Sequence, residues 1–129
     1  LEAGWYPAIV AEIDGPKASK SGQSINWFFT FRIVEGKYQG KELKCAFTSG
    51  SESASLLGNM MWMPTAFIRV VIAATLNIPV ADVSDELDTD SILNKPFDLR
   101  TDVATVDGAL INVPSQFLPR GKGGVGIPF

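Results

Sequence analysis

The chain contains no histidine and a single cysteine, Cys45. A lone thiol cannot close an intrachain disulfide. Without imidazole, the common zinc sites and the Ser/His and Cys/His nucleophile pairs are excluded. The 14 carboxylates remain as acid/base candidates, yet none stands at a recognisable catalytic spacing. Asp82, Asp85, Glu86, Asp88 and Asp90 crowd one segment, but the glycine and closing glutamate of an EF-hand loop are missing. The expectation is a non-catalytic protein with no cofactor and no metal.

Long apolar runs are also lacking. The longest, Leu56 to Ile78, is broken by Gly58, Asn59, Pro64, Arg69 and Asn77, and no charged-then-apolar leader opens the sequence. These features predict a soluble, cytoplasmic protein without a membrane partner. Charged residues make up only 19% of the 129 residues and hydrophobic ones 46%, which is globular composition, and the length suits one core. The net charge of −3 is unevenly spread, with +1 over residues 1–50, −4 over 51–95 and 0 over 96–129. A polyanionic ligand is therefore not vetoed by the total.

Residues 5–14, WYPAIVAEID, read as a first strand closed by a turn at Asp14-Gly15-Pro16, with a basic flexible loop beyond. In INWFFTFRIV, Ile25, Trp27, Phe29, Phe31 and Ile33 form an apolar face opposite a mixed face of Asn26, Phe28, Thr30, Arg32 and Val34. The turn EGKYQGK then leads to Leu43, Cys45 and Phe47 alternating with Glu42, Lys44, Ala46 and Thr48, so the second and third strands should pair antiparallel.

From Ser51 the period changes. Ser51-Glu52 suits a helix start, and Leu56, Met60 and Met63 recur at helical spacing up to Pro64. A second helix is expected from Pro64 to about Asn77, burying Phe67, Val70, Val71 and Ala74. After the acidic segment, KPFDLRTDVATV and ALINVPSQFL read as two strands joined at Asp107-Gly108, with Pro114 marking an edge or a bulge. The predicted fold is mainly β with a helical insertion: a five-stranded OB-fold barrel over residues 1–119, helices between strands 3 and 4, and a flexible tail over 120–129.

Two segments carry a family resemblance. FTFRIVEGKYQGKEL, from Phe29 to Leu43, resembles the second-to-third strand region of phage-encoded single-stranded-DNA-binding proteins, in which a strand ends in a Gly-x-Tyr-x-Gly turn. LDTDSILNKPFDLRTDVATVDGALINVPSQFLP is similar to their closing segment, with Asn94-Lys95 where Gly-Lys is more usual. The last three residues, Ile127, Pro128 and Phe129, resemble the tip of bacterial single-stranded-DNA-binding protein tails, though the flanking acids are absent. The resemblance implies a protein that coats single-stranded DNA in phage-type replication or recombination. It also implies homo-oligomers and a tip that docks replication or repair proteins. The alternative is a β-barrel serving as a structural or protein-docking module.

Sequence-independent binding of a single strand needs cations along the phosphates and aromatic faces under the bases. Phe28, Arg32 and Lys44 fall on the mixed faces of the second and third strands. For Phe28 the competing role is burial beneath the insertion. Lys17 and Lys20 lie in the first loop, and Lys37, Tyr38 and Lys41 in the second, where phosphate contact competes with plain solvation. Arg100 either extends the groove or pairs with Asp98 or Asp102. Trp5, Tyr6 and Trp62 are expected in the core or an interface.

Overall fold

The alternation of apolar and polar residues is what the backbone follows through most of the chain. The computed structural model describes residues 2–19, 22–57, 60–84 and 89–122. Among them are β1 (Gly4–Ala18), β2 (Ile25–Ile33), β3 (Glu42–Thr48), β4 (Ser55–Leu57), β5 (Met60–Pro64), α1 (Ala66–Leu76), β6 (Pro96–Val106) and β7 (Ala109–Pro119). All seven strands belong to one sheet in the order β4-β5-β3-β2-β1-β6-β7. Every pairing is antiparallel except β3 with β5. The sheet curls so that the start of β3 and the start of β7 line one cleft.

Inside the curl, Phe29, Phe31, Phe47, Phe97 and Phe117 are buried together. Their rings meet at 4.8 Å between Phe29 and Phe47 and at 5.4 Å between Phe31 and Phe117. Helix α1 covers this cluster with Ile68, Val71, Ile72 and Ala74, and ends at Asn77, whose φ of 55° lets its N–H reach the Ala73 carbonyl. Truncating one such phenylalanine to alanine costs about 3–5 kcal/mol, because lost transfer energy and a cavity add.

Three features depart from the sequence-based expectation. The segment expected to be the first helix is instead the β4–β5 pair, with Leu57 opposite Met60 and Ser55 opposite Trp62. Met61 and Met63 pack toward the core while Trp62 lies on the other face, a period of two that Leu56, Met60 and Met63 concealed. The strand count is consequently seven rather than five. The buried stripe of α1 runs through Ile68 and Ile72 with Val71 and Ala74, leaving Phe67 38% exposed. Finally, β1 does not stop at Gly15. It steps through a register irregularity between Asp14 and Lys17 and goes on pairing, with Lys17 opposite Asn26.

The expectations for the hairpin turn and for Pro114 agree. Asp107 and Gly108 both take positive φ, 52° and 80°, as a two-residue hairpin turn of the primed type requires. β7 is the last strand of the sheet, and a register shift falls between Pro114 and Gln116. No helix among the described residues is long and apolar enough to cross a membrane.

Candidate nucleic-acid interface

Register fixes which side chains share the outer face of the sheet. Across β2 and β3, Arg32 stands opposite Glu42, Thr30 opposite Lys44 and Phe28 opposite Ala46. Beyond β3, Trp62 is opposite Ala46. On the other side, β1 brings Glu12 opposite Thr30 and Asp14 opposite Phe28. Five strands' worth of packing is thus not needed to build this surface, since three neighbouring strands and the short β5 supply it.

Phe28 is half-buried, with its ring edge-to-face against Trp62 at 5.9 Å and 83°. Thr30 and Ala46 are buried on this same face, while Arg32 and Lys44 are exposed. A groove of about 220 Å³ runs beside Phe28, bordered by Glu12, Asp14, Thr30, Lys44 and Met60. A second, larger cleft of about 470 Å³ lies between β3 and the β6–β7 hairpin, lined by Lys41, Glu42, Lys44, Met60, Leu110 and Asn112. Lys44 and Met60 border both, so the two depressions adjoin at those residues.

The cations predicted from sequence separate into two groups. Arg32 donates through Nε and Nη2 to one oxygen of Glu42, at 3.1 and 2.8 Å. Lys17 pairs with Asp14 at 2.8 Å, and Arg100 with Asp102 at 3.6 Å. These exposed pairs contribute little stability. Lys41 and Lys44 have no ion pair among the described residues, and both face the larger cleft. Lys37 places its ammonium 5.4 Å from the Tyr38 ring centroid. Arg100 sits on β6, paired with Trp5 and Gln116, and borders neither depression. Lys20 and the tip residues Ile127, Pro128 and Phe129 lie outside the described residues.

Sequence reasoning missed Trp62, Met60 and the carboxylates of Glu12 and Asp14 as neighbours of Phe28, and Leu110 as a wall of the larger cleft. The signal for Trp62 was the Gly58-Asn59 dipeptide, a pair of the kind that joins hairpin strands. The acids of β1 had no local signal, because only the β1–β2 register brings them to Phe28.

Two further groups bear on the chemistry. Burial pushes the Cys45 thiol from its ordinary 9.0 up to about 12, so at neutral pH it is a packing group and not a nucleophile. Asp98, fully buried, accepts from Arg120 Nη1 at 3.3 Å and from the Gly121 N–H at 2.9 Å. The other arm of Arg120 reaches Glu35 at 3.2 Å. These bonds fix the chain just beyond β7 against the turn between β2 and β3, so residues 120–122 are held by the domain.

No protein-family model matches the chain, and no curated protein shows significant similarity to it.

Proposed function

We propose that the protein is a non-catalytic single-stranded-DNA-binding protein of the OB type, whose strand lies across β2 and β3 and into the cleft toward the β6–β7 hairpin. The observation that carries this reading is the conjunction of a half-buried aromatic, Phe28 braced by Trp62, with two cations not engaged by acids, Lys44 and Lys41, along two adjoining depressions. Bases stack on the ring while phosphates follow the lysines, which is how single strands are bound without sequence preference.

The strand neighbours support the fold part of the proposal. β1 pairs with both β2 and β6, β2 leads to β3, and β6 to β7, with α1 inserted between β3 and β6. These neighbours are shared with an OB barrel, but β3 pairs with β5 rather than with β7, so the sheet stays open where an OB barrel closes. The sequence resemblance to phage-encoded single-stranded-DNA-binding proteins points the same way. Under this reading the protein works in the cytoplasm, as a homo-oligomer whose several barrels engage one strand together. Its C-terminal tip docks replication or repair proteins.

Glu12 and Asp14 set a boundary to the path. Carboxylates beside the Phe28 groove repel phosphates, so the backbone of the strand runs on the β3 side of Phe28, over Lys44. A competition panel of single-stranded DNA, duplex DNA and RNA tests the proposal. Single-stranded DNA should bind tightest, since a duplex does not expose its base faces for stacking. Equal, weak retention of all three would instead favour the protein-docking alternative, to which the exposed Leu57 and Leu110 are suited.

A further inference from the structure

The turn between β2 and β3 has a second side, away from the lysine-lined cleft. There Tyr38 meets Tyr6 of β1 edge-to-face, with centroids 5.8 Å apart and planes at 76°. With Pro7 and Gly36 they line a pocket of about 370 Å³, room for one base with its sugar. Gly36 has a φ of 88°, and no atom lies within 4 Å of where its Cβ would be, so the pocket is open on that side. Tyr6 is held in place by donating its hydroxyl to the Glu2 carbonyl at 2.6 Å.

The charged groups around this pocket are Glu2, Glu35 and Lys37. Their sum is negative, which disfavours a phosphate and favours a ligand that is flat, uncharged and able to donate hydrogen bonds. Glu35 spends one oxygen, Oε2, on Arg120 and has a second to accept with. Cytosine, adenine and guanine each carry an exocyclic amino group, and thymine carries none.

We propose that this Tyr6–Tyr38 pocket receives a single nucleobase bearing an exocyclic amino group, stacked on Tyr38 and donating to the carboxylate of Glu35 or Glu2. The inference rests on the single-strand reading above and adds a base preference to it. A strand crossing Lys41 reaches the pocket by passing over the turn that carries both Lys37 and Tyr38. The pocket then reads one base, while the Phe28 surface holds its bases indiscriminately.

The test compares oligo-dC with oligo-dT of equal length by fluorescence anisotropy on the full chain. The unmodified protein should bind oligo-dC about 2- to 10-fold more tightly, the range of one net hydrogen bond. The double substitution Glu2→Ala, Glu35→Ala, which removes both acceptors, should bring that ratio toward one while leaving oligo-dT affinity equal or stronger. Tyr38→Ala should weaken oligo-dC more than oligo-dT, with an unchanged circular dichroism spectrum confirming that the variant folds. A ratio near one in the unmodified protein, or a ratio that the double variant leaves unchanged, overturns the pocket assignment alone. Failure to bind either oligonucleotide overturns the single-strand reading along with it.

Discussion

Phe28 and Lys44 are the residues at which the account is most exposed to mutation. Phe28 is braced by Trp62 at 5.9 Å, so its ring is already oriented before a base arrives. Phe28→Ala should weaken oligo-dT binding by about 1–3 kcal/mol, the value of one stacked base, measured by anisotropy titration. Lys44→Ala should flatten the salt dependence of the same titration by about 0.7 in log–log slope, one phosphate's worth. Arg32→Ala should matter less than Lys44→Ala, because its guanidinium is already paired with Glu42. Cys45 gives a pH prediction. Its folded pKa lies above its unfolded value, so its contribution to stability is fully present below pH 9 and lost as pH rises from about 9 to about 12. Urea midpoints measured across that window should fall, and Cys45→Ala or Cys45→Val should reduce the fall. At this scale the sequence was informative about type and poor about pairing. It showed that residues 28, 32 and 44 share a face, but could not show that Arg32 is engaged and Lys44 is not, since that depends on Glu42 lying directly across the β2–β3 ladder.

Among the elements, β2, β3 and the β6–β7 hairpin were legible because each combines a strict period of two with an explicit turn. Asp107-Gly108 takes the two positive φ angles that its sequence suits. The pair β4–β5 was misread because Leu56, Met60 and Met63 satisfy a helical spacing as well as a strand one, and only the parallel pairing of Cys45 with Met61 decides between them. The end of β1 was misread for a different reason. Asp14-Gly15-Pro16 has turn chemistry, yet here it forms a bulge, and the strand resumes against Asn26. Gly15 makes this possible: its φ is 141°, and a Cβ there would come within 2.8 Å of the Asn26 carbonyl oxygen and 3.2 Å of the Trp27 Cα. Both are backbone atoms that cannot swing aside. Gly15→Ala should therefore destabilise the fold by about 1–3 kcal/mol, the usual cost of a strained backbone position. Chemical denaturation reads it directly, and a loss under 0.5 kcal/mol would mean that the bulge relaxes freely.

At the scale of the whole molecule, acidic composition and a polyanionic ligand are reconciled by separation. The excess acid belongs to residues 51–95, whereas Lys41 and Lys44 meet at one cleft between β3 and the β6–β7 hairpin. The curled sheet is what brings Lys41 and Lys44, early in the chain, to Leu110 and Asn112, late in it. No local pattern announces that meeting, so the cleft was invisible in sequence although both of its walls were correctly read as strands. The Asp98–Arg120–Glu35 bonds tie the end of β7 back to the β2–β3 turn, and Asp98→Ala should cost about 1–3 kcal/mol by leaving the Gly121 N–H and Arg120 short of their acceptor. The most direct test of the central claim is a titration of the protein with oligo-dT at several salt concentrations. If Lys41 and Lys44 each neutralise one phosphate, log affinity should fall with log salt at a slope of about −1.4. Absence of binding at low salt, or an affinity indifferent to salt, would contradict the assignment of this surface to single-stranded DNA.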